Sequence, residues 1–170
     1  VAMPDGHTPK QMPPLKRHAA LQPLSREHMS GLIQARNLNR AANADAGARR
    51  AALAAFTEVW RSEIREHFDD EERLLLPLTQ EPALRDRLLE EHRAIRELAR
   101  RCEEDPGAVA EEPPLMRRIG SLLHDHIRWE EREYFEAIQR DHPDALAALE
   151  HEADRIEQRR PGARARRTLE

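Results

Sequence analysis

Arg65-Glu-His-Phe-Asp-Asp-Glu-Glu-Arg-Leu-Leu-Leu-Pro77 places His67 and Glu71 one helical turn apart. At about 100° per residue the same helical face carries Leu53, Phe56, Trp60 and Ile64 upstream and Leu74 and Leu75 downstream. The imidazole and the carboxylate therefore point into a core. A buried carboxylate is costly unless it is paired, hydrogen-bonded or bound to a metal, and an imidazole one turn away is a natural co-ligand.

A second copy sharpens the reading. His126 and Glu130 repeat the spacing on a segment whose inward face reads Leu115, Ile119, Leu122, Leu123, Trp129 and Ala137. The spacing alone also fits surface support of a helix between residues i and i+4. Two pairs in the middle of apolar faces instead suggest two metal ions.

Composition sets the frame. The 170 residues suffice for one domain, and 39% hydrophobic residues against 35% charged suit a water-soluble helical protein. Ala, Leu, Glu and Arg dominate, aromatic residues are few and β-branched runs are absent, which predicts an all-α fold. The net charge of −4 gives no general attraction to nucleic acid or membranes, although residues 155–167 are locally basic and read as a solvated tail. The single cysteine, Cys102, excludes an internal disulfide, and no apolar run has the length of a signal peptide or membrane span. A cytoplasmic location fits best.

Residues 1–24, with Pro4, Pro9, Pro13, Pro14 and Pro23, read as an extended arm. Ser25 suits the N-cap of a first helix running to about Asn43, with His28 in its first turn beside Leu32, Ala35, Leu38 and Ala42. Gly47 separates it from a second helix, about Ala48 to Leu76, stopped by Pro77. A third helix starts at Pro82 and ends before Asp105-Pro106-Gly107, with His92 on the shoulder of its apolar face. The fourth follows Pro113 and Pro114 to about Arg140, and a short fifth helix after Pro143 packs on the outside. Four long helices with short connections predict an antiparallel up-down four-helix bundle.

The inward ligands then fall in the order His28, His67 with Glu71, His92, His126 with Glu130. Of the other histidines, His124 points away from the His126 face, and His7, His18, His142 and His151 have no paired arrangement. Glu63 and Glu133 lie on the inward faces by the same wheel, as extra ligands or as partners of Arg85 or Arg96. Four imidazoles and two carboxylates suit iron, manganese or zinc, and the lack of thiolates argues against a finger-type structural zinc site.

That ordered set resembles the hemerythrin-like, or HHE cation-binding, family, as do the lead-in Leu21-Gln-Pro-Leu-Ser-Arg-Glu-His28 and the run from His67 to Pro77. The resemblance covers roughly residues 20 to 140 and is closest to bacterial members. It implies a domain over residues 25–140, preceded by the arm and followed by a C-terminal helix and basic tail over 141–170. It further implies a non-haem di-iron centre with Glu71 and Glu130 bridging, a solvent-derived oxygen between the ions, His28 and His67 on one iron, and His92 and His126 on the other.

Two positions depart from the family pattern. Arg96 stands where oxygen-carrying members have a second third-helix histidine, and Met29 where many bacterial relatives have a second His beside the first ligand. The function this implies is binding of, or reaction with, dioxygen, peroxide or nitric oxide in sensing or detoxification, with weak peroxide decomposition as the enzymatic form. Arg96 argues against bulk oxygen transport. The alternative is an iron-binding or iron-sensing module without turnover.

Overall fold

The computed structural model describes residues 16–160, and these are helical almost throughout, with no strand among them. Four long helical rods carry the fold. The first spans Gln22–Ala41. The second is continuous through Ala46–Val59, a π turn at Trp60–Ile64 and Arg65–Leu75. The third spans Pro82–Glu104, and the fourth runs through Pro113–Trp129, a π turn at Glu130–Tyr134 and Phe135–Asp141. Shorter helices follow at Pro143–Ala147 and Glu150–Arg159.

Several helix ends differ from the sequence expectation, each for a local reason. The first helix begins before Ser25, because Pro23 tolerates a first turn and buried Leu21 and Leu24 anchor that turn in the core. Ser25 Oγ instead donates to Glu131 Oε1 at 2.6 Å. The expected arm is thus not extended to residue 24: Ala19–Leu21 form a 3₁₀ turn whose Ala20 N–H donates to His18 Nδ1. Residues 1–15 lie outside the described residues. Gly47 does not break the chain, since Asp45 accepts from the Ala48 N–H and starts the second helix at Ala46. Pro82 starts the third helix as its fixed φ suggests.

The two π turns are marked by i to i−5 hydrogen bonds, from Arg65 N–H to the Trp60 carbonyl and from Phe135 N–H to the Glu130 carbonyl. Each inserts one residue into the 3.6-residue count and shifts the following face. They fall on the two helices that carry the His/Glu pairs.

Apolar burial is divided into two clusters. One holds Leu38, Leu53, Phe56, Trp60, Ile95, Ala99, Met116, Ile119 and Leu123; the other holds Leu21, Leu24, Leu75, Leu88, Trp129, Tyr134, Phe135 and Ile138. Along the chain the first helix passes from the second cluster to the first, the second helix returns, the third passes back and the fourth returns again. All six predicted ligands lie on these helices, close to where each passes from one cluster to the other.

The first and fourth helices approach closely through glycine. A Cβ on Gly120 would lie 2.7 Å from the Ala35 carbonyl oxygen and 2.9 Å from the Asn39 side chain. Backbone cannot move aside as a flexible side chain can, so Gly120→Val is expected to lower stability by about 1–3 kcal/mol. Urea denaturation checks this. A variant as stable as the parent would mean that the two helices separate at no cost.

The C-terminal segment does not lie loosely outside. Leu146, Ala153 and Ile156 are buried, and the last helix packs on the first and on the 3₁₀ turn before it. Arg160, read from sequence as part of a solvated tail, is buried. Residues 161–170 lie outside the described residues.

Candidate metal centre

His28, His67, Glu71, His92, His126 and Glu130 meet in one buried layer, none more than 4% exposed. His67 Nε2 lies 3.0 Å from Glu71 Oε1, and His126 Nε2 lies 3.1 Å from Glu130 Oε1, so each i to i+4 pair closes on itself. His28 Nε2 is 3.4 Å from Glu71 and 3.2 Å from Glu130; His92 Nε2 is 3.4 Å from Glu71 and 3.6 Å from Glu130. Each carboxylate therefore faces three imidazoles. The donor atoms form two overlapping groups, His28 with His67 and Glu71, and His92 with His126, Glu71 and Glu130.

The chemistry of this donor set fits a metal. All four Nε2 atoms and all four oxygens of Glu71 and Glu130 are buried without a hydrogen bond of acceptable geometry. Leaving even one buried polar group unsatisfied costs about 1–3 kcal/mol, and here eight converge. Cations in the middle would satisfy them together, since neutral imidazole and ionised carboxylate are both donors to a divalent ion.

The opposite ring nitrogens are fully occupied, and their partners follow a rule. His28 Nδ1 donates to Glu131 at 2.6 Å, His67 Nδ1 to Glu27 at 2.7 Å, His92 Nδ1 to Glu72 at 2.8 Å and His126 Nδ1 to Glu91 at 2.8 Å. A carboxylate accepts, so each Nδ1 carries the proton and, in the neutral ring, each Nε2 presents a lone pair inward. Every supporting glutamate is the chain neighbour of a central residue on a different helix: Glu27 beside His28, Glu72 beside Glu71, Glu91 beside His92, Glu131 beside Glu130. Adjacent helical residues diverge by about 100°, so one points to the centre and the next toward the adjoining helix. The support passes from first helix to second, second to third, third to fourth and fourth back to first.

An arginine stands behind each of these glutamates. Arg160 meets Glu27 at 2.6 Å, Arg96 meets Glu72 at 2.6 Å, Arg87 meets Glu91 at 2.8 Å and Arg17 meets Glu131 at 3.0 Å. Four acidic and four basic groups cancel around a centre whose own formal charge, with neutral imidazoles, is −2. That residual charge attracts divalent cations.

Without an ion the imidazoles and carboxylates of the layer stabilise one another's charged forms. Burial disfavours the charged form of His67, but Glu71 and Glu27 outweigh it and raise the imidazole to about 9. His92 rises to about 10 against the same burial, through Glu130, Glu71 and Glu72. His28 and His126 rise for like reasons. Burial works to raise Glu71 and Glu130, and for Glu130 the charge of Glu71 adds to it, yet the surrounding imidazoles hold both carboxyls well below the usual range.

Some sequence expectations for this layer need correction. His92 lies at the centre of its face rather than on the shoulder, fully buried with Phe68 stacked flat on its ring at 3.9 Å. Glu63 is half-buried and Glu133 exposed, and neither belongs to the donor groups. The π turns explain the failure: residue i+7 from His126 is inward on a regular helix, but the inserted residue hands that place to Tyr134. Met29 is 47% exposed, and Arg96 reaches outward to Glu72 and Asp69, so neither position supplies a central donor. Exposed His124 and His151 do not belong to the donor groups, while His7 lies outside the described residues. The four supporting glutamates were missed, although the Glu27-His28, Glu71-Glu72, Glu91-His92 and Glu130-Glu131 doublets carried the signal.

Outside His28, a groove of about 540 Å³ is lined by Arg17, Ser25, Arg26, Met29 and Glu131 among others. No helix among the described residues is long and apolar enough to cross a membrane.

No curated protein and no solved structure matches the chain. The family model for the hemerythrin HHE cation-binding domain matches residues 19–138, a span that contains all six central residues and the four glutamates behind the histidines. On that match, the chain belongs to the hemerythrin HHE cation-binding domain family.

Proposed function

We propose that this chain is a non-haem di-iron protein of the cytoplasm, with His28, His67, Glu71, His92, His126 and Glu130 as its ligands and Glu71 and Glu130 shared between two ions. The observation that carries the reading is the convergence of eight buried donor atoms without hydrogen-bond partners, in two groups that overlap at Glu71. Manganese or zinc suits the same donors, and the preference for iron rests on the family. The scaffold is an antiparallel up-down four-helix bundle over residues 25–140, supported by the alternating passage of the helices between two apolar clusters. The C-terminal helix and basic tail occupy 141–170.

When bound, iron supplies redox chemistry and a coordination position for dioxygen, peroxide or nitric oxide. The chain's own residues do the rest. Each Nδ1 to glutamate hydrogen bond fixes the tautomer and orientation of a ligand. Phe68 over His92 and Phe135 over His28, 5.4 Å between ring centroids, keep water from the imidazole faces. A small ligand entering from the groove meets Ser25, Glu131 and His28 first. Tyr134 donates to Thr79 Oγ1, 2.8 Å away, since the Thr79 hydroxyl donates to the Leu75 carbonyl; burial pushes the Tyr134 phenol pKa up, and its ring stacks on Trp129, which lies 6.1 Å from the His126 ring. This places two oxidisable side chains beside the centre.

The near-complete burial of all six residues favours a second reading, an iron-binding module that changes stability on loading without turnover. Elemental analysis of protein made in iron-replete medium tests the shared premise: about two irons per chain are expected, with marked loss in His67→Ala. Little metal in the parent would sink both readings. Peroxide consumption by the loaded protein then separates them, since the second predicts a metal-dependent stability change alone.

A further inference from the structure

The last helix, Glu150–Arg159, lies beyond the span matched by the family, yet it reaches the support of one ligand. Arg160 follows that helix with its side chain 4% exposed, and its guanidinium meets Glu27, Glu66 and Asp70. Glu27 in turn accepts from His67 Nδ1. Three residues earlier Glu157 pairs with Arg26 through both oxygens, at 3.0 and 2.7 Å. The neighbours Arg26 and Glu27 on the first helix are thus gripped by Glu157 and Arg160 from the last.

The other three supporting arginines are more exposed, at 19% for Arg17, 32% for Arg96 and 43% for Arg87. Water screens exposed ion pairs more than buried ones, so the Arg160 pair is the least screened of the four. It also differs in origin, because its arginine comes from the C-terminal segment.

We infer that Arg160 is a positioning residue for the metal centre: through Glu27 it fixes the His67 imidazole, and it makes the position served by His28, His67 and Glu71 depend on docking of the C-terminal helix. The inference rests on the metal-binding reading above. Loss of a group supporting a ligand histidine typically weakens metal binding about 10–100-fold, and Arg160 acts one residue further out. The expected effect of Arg160→Gln is therefore roughly tenfold on one binding step, with the other step unchanged.

The test titrates the metal-free full chain with cobalt(II), following visible absorption and bound metal together. Arg160→Gln should weaken one of two steps, Arg160→Lys should restore much of it, and Arg73→Ala should leave both intact. Arg73 is the informative control because, from the second helix, it pairs with Glu152 of the last helix at 2.6 Å and shares Asp70 with Arg160, but it is exposed and does not touch Glu27. Unchanged binding in Arg160→Gln, or equal weakening of both steps, would overturn the inference. Nitrogen-15 spectra of the metal-free imidazoles keep the two readings apart. If the parent takes up no cobalt the metal reading fails, while a change in Arg160→Gln confined to His67 and spared at His92 and His126 would still support the positioning role. No change at His67 would end it.

Discussion

Glu71→Ala is expected to reduce bound metal from about two ions per chain to less than one. Glu71 faces His28 and His92 at 3.4 Å and His67 at 3.0 Å, and it belongs to both donor groups. Its removal cuts the formal charge of the donor set from −2 to −1, and in the proposed two-ion centre both ions would lose an anionic ligand. The consequence for stability is larger than that of an ordinary core substitution. A metal held at a thousand times its dissociation constant stabilises the folded state by about 4.1 kcal/mol, and that increment disappears with the site. Thermal unfolding with and without added iron(II) under anaerobic conditions measures it. Retention of two ions and of the full metal-dependent shift would remove Glu71 from the centre.

The second large effect is the response to pH, and its sign differs between the metal-free and loaded protein. In the metal-free protein His67 and His92 have folded pKa values of about 9 and 10 against 6.5 when unfolded. A base raised on folding contributes stability that is fully present below its unfolded value and is lost as pH climbs through the folded one. Metal-free protein should therefore weaken between pH 6.5 and about 10, by on the order of 3 kcal/mol as the His67–Glu71 pair loses its proton. Glu71 and Glu130 act oppositely, since carboxyls depressed on folding contribute above 4.5 and lose that contribution as pH falls toward their folded values. The metal-free optimum lies between these limits, near pH 4.5 to 6.5.

A metal ion needs the imidazoles deprotonated, so binding releases protons and affinity rises across the interval in which the metal-free fold weakens. Urea denaturation at pH 6, 8 and 10, with chelator or with excess metal, should give curves that diverge as pH rises. A metal-free stability that is flat from pH 6 to 10 would contradict the charge arrangement of the central layer.

Much of the site was legible in the one-dimensional pattern. His67 with Glu71 and His126 with Glu130 could be paired because a regular helix repeats direction every three to four residues, and the surrounding leucines and aromatics marked that direction as inward. His28 and His92 followed from the same logic on the other two helices. The logic failed for Glu133, where a π turn adds a residue that no propensity scale announces. It failed at Ser25 too, where burial of Leu21 and Leu24 moved the helix start upstream and released the hydroxyl to Glu131.

Sequence alone determined the helical class through composition, the inward direction of the six residues through spacing within each helix, and the family likeness through their order along the chain. Only the tertiary structure decided which glutamate supports which histidine. Glu27 is beside His28 in the chain but holds His67, and Glu131 is beside Glu130 but holds His28. Those partners are selected by which helices pack together, as is the burial of Arg160 against Glu27, the His67 support it completes from the far end of the fold. Local periodicity sets the direction of a side chain, whereas the identity of what it meets depends on contacts between segments distant in sequence.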